Sequence, residues 1–204
     1  VPMLSGIYSD YYYTDQGLWV RQDWLDDLGM DKPETLDQFL EMLKSFKSEK
    51  GASEPFTLLG TGVNEPLGAT FGTNPNSVVV EDGQVAYGPV TDGTKEYLKL
   101  MNQMYNEGLI SSDFVSYTES ETKPPEDVVL TGKTGVFNED VAAVPSYTNN
   151  VEGMDLRALQ APVQKAGDKL DIGPVAALVS SQYNISVSTA CENPEMALQY
   201  IDYL

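Results

Sequence analysis

The sequence predicts an α/β fold, a central mixed sheet flanked by helices. Three observations predict it. Short runs rich in β-formers, such as Leu18 to Val20, recur along the chain. Between them lie stretches with apolar residues at helical spacing. Turn residues separate the two kinds of stretch, so strand and helix signals alternate.

Leu18–Arg21 reads as a buried strand. Asp23 is expected to cap a short helix carrying Trp24, Leu25 and Leu28, which Gly29 ends in a left-handed turn. Pro33 marks the loop that follows. Thr35 and Gln38 form a capping box, with Asp37 in the first turn. A helix near 35–49 then carries Leu36, Phe39, Leu40, Leu43 and Phe46 as one stripe, and Gly51 stops it.

Pro55 to Leu59 is a strand, and a polar loop through Asn64, Glu65 and Pro66 follows. That loop lacks the Gly-Lys-Ser/Thr ending of a phosphate loop. Residues 78 to 88 read as a hairpin turning at Asp82-Gly83. Asp92 is expected to cap a helix near 92–107. Tyr97, Leu98, Met101, Met104 and Tyr105 would share its buried face, and Gly108 would end it. Asp127 to Leu130 is a short helix, and Thr134–Phe137 a buried strand. Leu156 to Pro162, Val175 to Val179 and Tyr183 to Val187 are further strands. Asn193 caps a last helix with Pro194 at its first position and Ala197, Tyr200, Ile201 and Leu204 on one face.

Composition narrows function. Twelve basic residues stand against 31 acidic ones, a net charge of −19. Nothing there could neutralise a run of phosphates, and an anionic membrane surface is disfavoured. There is no histidine and one cysteine, Cys191, which excludes an internal disulfide, the Ser-His-Asp and Cys-His triads and the usual zinc sites. Neither a catalytic residue nor a metal ligand nor a cofactor is expected. No apolar run is long enough to span a bilayer. Tyr11, Tyr12 and Tyr13 cannot all face a core, because alternate residues of an extended segment point to opposite sides. Rings with polar tips suit sugar or peptide ligands, and a half-buried edge strand is the other reading.

Four blocks, in order, carry a resemblance. They are Arg21-Gln-Asp-Trp-Leu-Asp-Asp-Leu-Gly29 before Pro33-Glu-Thr-Leu-Asp-Gln-Phe39, then Asp82-Gly83 before Tyr105-Asn-Glu-Gly-Leu-Ile110. Gly132-Lys-Thr-Gly135 and Asn193-Pro-Glu-Met-Ala-Leu-Gln-Tyr-Ile-Asp-Tyr-Leu204 complete them. Together they resemble the extracellular solute-binding proteins of ABC transporters, maltodextrin-binding-like and of the Gram-positive lipoprotein type.

The resemblance implies one lobe of a two-lobe, type II periplasmic-binding-protein fold. Residues 1–186 would be the second lobe, and residues 187–204 the return crossing and first helix of the other. Val1-Pro2 and Leu204 both read as cut ends of a longer protein. The implied function is capture of an extracellular solute, an oligosaccharide, for permease subunits of an importer. Membrane attachment would be only through a lipid anchor outside this stretch, on a Gram-positive cell surface or in a periplasm. The implied ligand rim comprises Tyr11, Tyr12, Tyr13 and Trp19 near the crossing, Asn64 and Glu65 after the second strand, and Asn138, Glu139 and Asp140 after the Gly-Lys-x-Gly strand, with Tyr147 and Tyr183 beside them. Relatives often place a stacking tryptophan after that last strand, and this chain has none there. A peptide or cationic solute is the alternative ligand. A cell-surface carbohydrate-binding or adhesion module, or a glycoside-processing enzyme with paired carboxylates, is the alternative function.

Overall fold

A computed structural model describes residues 3–5, 16–57, 66–75, 78–81, 83–112, 114, 126–170 and 184–203. The chain forms two compact units, Thr14–Gly173, and Val1–Tyr13 with Pro174–Leu204. In the smaller unit β1 (Met3–Ser5) pairs antiparallel with β8 (Asn184–Ser186), and α6 spans Pro194–Tyr203. Pro194 opens α6 as the sequence predicts. Met196, Leu198 and Tyr200 lie exposed on it.

The larger unit is built on a four-stranded sheet of order β3-β6-β2-β7. These strands are β2 (Gln16–Arg21), β3 (Phe56–Thr57), β6 (Val136–Asp140) and β7 (Leu156–Leu159). β2 runs antiparallel to both of its neighbours, while β3 and β6 are parallel, so the sheet is mixed. Side chains alternate across it. Leu18, Val20, Val136 and Leu159 belong to one core, and Phe137 and Leu156 to another.

The first core is closed by α2 (Leu36–Glu49). Its capping box is complete: Thr35 Oγ1 accepts from Gln38 N, and Gln38 Oε1 accepts from Thr35 N at 3.0 Å. Phe39, Met42, Leu43 and Phe46 are fully buried on one face. Each contributes roughly 1.5–3 kcal/mol of burial. Phe39 meets Phe56 edge-on at 5.9 Å, and Phe46 meets Trp24 at 5.2 Å. Trp24 comes from α1 (Gln22–Leu28), which Gly29 ends at φ 63°.

A 3-10 turn over Pro66–Phe71 and the hairpin of β4 (Val78–Glu81) and β5 (Gln84–Tyr87) lead to α3 (Asp92–Asn106). Thr94 Oγ1 and Thr91 Oγ1 both donate to the Gly88 carbonyl, at 2.6 and 2.8 Å. Two short helices, α4 (Glu126–Leu130) and α5 (Val144–Thr148), contribute Val129 and Tyr147 to the second core.

Several expectations need correction. Asp23 does not cap α1; the N-cap is Arg21. The Asp23 carboxylate instead accepts from Arg21 Nε at 2.8 Å and from Asp155 N at 3.2 Å. It ties β2 to the start of β7, and that tertiary use outcompetes capping. Likewise Thr91, not Asp92, caps α3, because its hydroxyl accepts from Thr94 N. On α3 the buried face is Thr94, Tyr97, Leu100 and Met104, with Leu98 and Tyr105 exposed. The layer beneath is narrower than the apolar stripe.

The strand expected from Thr134 begins at Val136. Thr134 Oγ1 turns back to the Pro55 and Val136 carbonyls. The strand expected to reach Pro162 stops at Leu159, and Val163 bridges to Thr35 instead. Val175 to Val179 and residues 58 and 59 lie outside the described residues.

Candidate functional site

Strand directions decide which predicted residues can meet. β2 is antiparallel to β6, so its beginning lies beside the end of β6: Gln16 pairs with Asp140, Gly17 with Glu139 and Leu18 with Asn138. β3 is parallel to β6 and ends at Thr57, opposite Phe137. The chain therefore leaves β3 and β6 and enters β2 at one end of the sheet.

At that end Trp19, Glu139 and Tyr147 form a connected group. Trp19 Nε1 donates to the Glu139 carbonyl at 3.0 Å. Tyr147 Oη donates to Glu139 Oε2 at 2.6 Å, a charge-assisted distance. Tyr147 also packs edge-on against Phe137, with centroids 5.7 Å apart. The Glu139 and Tyr147 residues are 1% and 3% exposed, whereas Trp19 is half-buried. Burial, then the bond to Glu139, pushes the Tyr147 phenol well above the ordinary tyrosine range. It is a neutral donor throughout physiological pH. Because the indole N–H of Trp19 is spent on the backbone and the ring packs partly on the second core, the indole has only its remaining ring surface to offer.

Asn138 is also buried, but it belongs to the opposite face of the sheet from Glu139. The Asn138 and Glu139 side chains therefore do not sit together. The side chain of Asp140, and all of Tyr11, Tyr12, Tyr13, Asn64, Glu65 and Tyr183, lie outside the described residues.

Sequence reasoning placed Tyr147 without its helix. The available signal was Pro145, in the first turn of α5. Ser146 Oγ donates back to the Ala143 carbonyl at 2.6 Å and secures that turn. The carboxylate–phenol pair itself had no local signature.

A mixed sheet with helices packed on it, and an aromatic ring tied to the strand ends, define an α/β architecture. The profile of the bacterial extracellular solute-binding protein family matches residues 4–204, and the chain belongs to that family. Lipoprotein LipO of Bacillus subtilis strain 168 is 33% identical over 162 residues, 74% of this chain and 32% of LipO. FusA of Streptococcus pneumoniae serotype 4, a fructooligosaccharide ABC transporter substrate-binding protein, is 34% identical over 107 residues, 47% of this chain and 20% of FusA.

A structure of a FusA EF-hand mutant in complex with fructo-nystose superposes with a TM-score of 0.69 at 23% identity. It covers 93% of this chain and 39% of that one. The alginate-binding protein AlgQ2, solved without calcium ion, gives 0.64 at 18% identity over 92% of this chain and 40% of its own. These two likenesses establish the fold. The chain spans 32% of LipO and 20% of FusA, well under half of either.

Proposed function

We propose that this chain is part of the substrate-binding component of an ABC importer and captures an oligosaccharide between two lobes. Residues 1–186 would form the second lobe, and residues 187–204 would pass into the first. The two lobes would close on solute by a hinge and hand it to permease subunits. The protein would work outside the cytoplasm, held at the surface by a lipid anchor, and would bind its solute without changing it.

The observation that carries this reading is the Trp19–Glu139–Tyr147 group at the end of the sheet. A ring whose N–H is already spent suits the apolar face of a sugar. Polar neighbours for the hydroxyls would come from Asn64 and Glu65, in the stretch that follows β3. The name of FusA supports an oligosaccharide over a peptide.

Isothermal titration of the full-length protein tests it, with fructooligosaccharides in one series and short peptides in the other. Oligosaccharide binding is expected, and Trp19→Ala should weaken it on the order of tenfold, about 1.4 kcal/mol. Binding of peptides alone, or an unchanged affinity in the tryptophan variant, would sink the reading.

A further inference from the structure

The FusA structure is of an EF-hand mutant, and the AlgQ2 structure is of that protein without calcium ion. The residues of this chain can be tested against a calcium site of that kind. An EF-hand loop runs twelve residues. It takes side-chain oxygens at its first, third and fifth positions, a glycine at the sixth and a bidentate glutamate at the twelfth. No aspartate in this sequence has an aspartate or asparagine two positions on, so the pattern occurs nowhere in the chain.

The connection that joins α2 to β3 agrees. Residues 50–55, which join α2 to β3, are too few for such a loop. That connection is closed by an ammonium group instead: Lys50 Nζ meets the Asp27 carboxylate of α1 at 2.7 Å. At the same end of α2, Lys44 Nζ lies 3.0 Å from Glu107 Oε2, and Lys47 Nζ donates to the Glu107 carbonyl at 2.6 Å. These two lysines fasten α2 to the end of α3.

The third case is a hollow of about 370 Å³ lined by Ser53, Glu54, Ser111, Ser112, Asp127 and Lys133. Two carboxylates and three hydroxyls are the hard oxygen donors a calcium ion needs. Lys133 already sits among them, with Nζ 3.6 Å from Asp127 Oδ2. A divalent ion there would share Asp127 with that ammonium group.

Among the described residues none forms a site that fits calcium, and we infer that this lobe is a calcium-independent version of the scaffold, in which lysine ammonium groups hold carboxylates that a divalent ion could otherwise bridge. The inference rests on family membership and on these contacts, not on the identity of the solute.

Thermal unfolding of this chain without solute tests it, in EDTA, in about 5 mM calcium chloride and in about 5 mM magnesium chloride, above the millimolar dissociation constants of weak extracellular sites. Calcium and magnesium should give the same Tm to within about 2 °C, since both only screen a chain of net charge −19. A calcium site filled to a hundred times its dissociation constant would raise Tm by roughly 5–10 °C. A calcium-over-magnesium difference larger than about 2 °C overturns the inference, and a smaller one supports it. Because no sugar or peptide is present, neither outcome bears on the oligosaccharide reading.

Discussion

Tyr147→Phe removes one oxygen from the second core and leaves the ring in place. The lost hydroxyl donates to Glu139 Oε2 at 2.6 Å, and both residues are buried. A hydrogen bond to a charged group is worth roughly 1.5–3 kcal/mol, and deleting the donor also leaves a buried acceptor poorer by one partner. The variant should therefore be about 2 kcal/mol less stable at neutral pH, a fall in Tm of roughly 4–8 °C for a chain of this size.

The alkaline range separates this bond from simple packing. The phenol is held above its ordinary value in the fold, chiefly by burial and then by Glu139. Above about pH 10 an unfolded chain releases that proton while the folded one keeps it. Folding then binds more protons than unfolding, so stability falls as pH rises, by at most about 1.4 kcal/mol per pH unit from this group. The stabilising share is complete below pH 10 and is lost on the way up. Phenylalanine has no such proton, so the gap between wild type and Tyr147→Phe should narrow above pH 10. Urea midpoints at neutral pH and at two alkaline pH values read both effects. Equal stability at neutral pH, or a gap that stays constant into the alkaline range, would refute the reasoning.

Two further outcomes concern the fold that supports the site. Thr35→Ala breaks the capping box of α2 and should cost about 1 kcal/mol, seen as a Tm lower by roughly 2–4 °C; an unchanged Tm would show that packing alone fixes the helix start. Gly135→Ala would drive a methyl into the Phe46 ring and to 2.9 Å from Trp24 Cε3, costing about 1–3 kcal/mol by urea unfolding. Gly17→Ala, with nothing within 4 Å of the added carbon, should stay within about 0.5 kcal/mol, and equal losses at the two positions would contradict this packing.

Elements with self-contained signals were legible in the sequence. α2 shows its capping box, its stripe and its Gly51 stop within one stretch, and each appears in the structure. The caps misassigned to Asp23 and Asp92 show where residue type misleads. Asp23 has a carboxylate suited to capping, but Arg21 and Asp155 N claim it from outside the helix. Leu98 and Tyr105 have the right spacing, yet nothing in the chain's local pattern gives the width of the layer below α3. The site was legible only as a set of places. Trp19 and Glu139 were both picked out, but the bond between them spans 120 positions and depends on strand register. Tyr147 is only eight positions from Glu139, and the pairing still needed α5 to turn the phenol back onto β6.

The sheet order has a consequence for how the lobe is made. β3 and β2 are early in the chain, and both hydrogen-bond to β6, which comes late. The Thr134 hydroxyl reaches back 79 positions to Pro55. At ribosomal speeds of roughly 5–20 residues per second, the first strands wait several seconds for their central partner. In that interval the apolar face of α2, with Phe39, Leu43 and Phe46, has no sheet to lie on. Such non-local pairing places the lobe among slow folders. The chain leaving the ribosome therefore keeps that apolar face uncovered until residues 136–140 have been made.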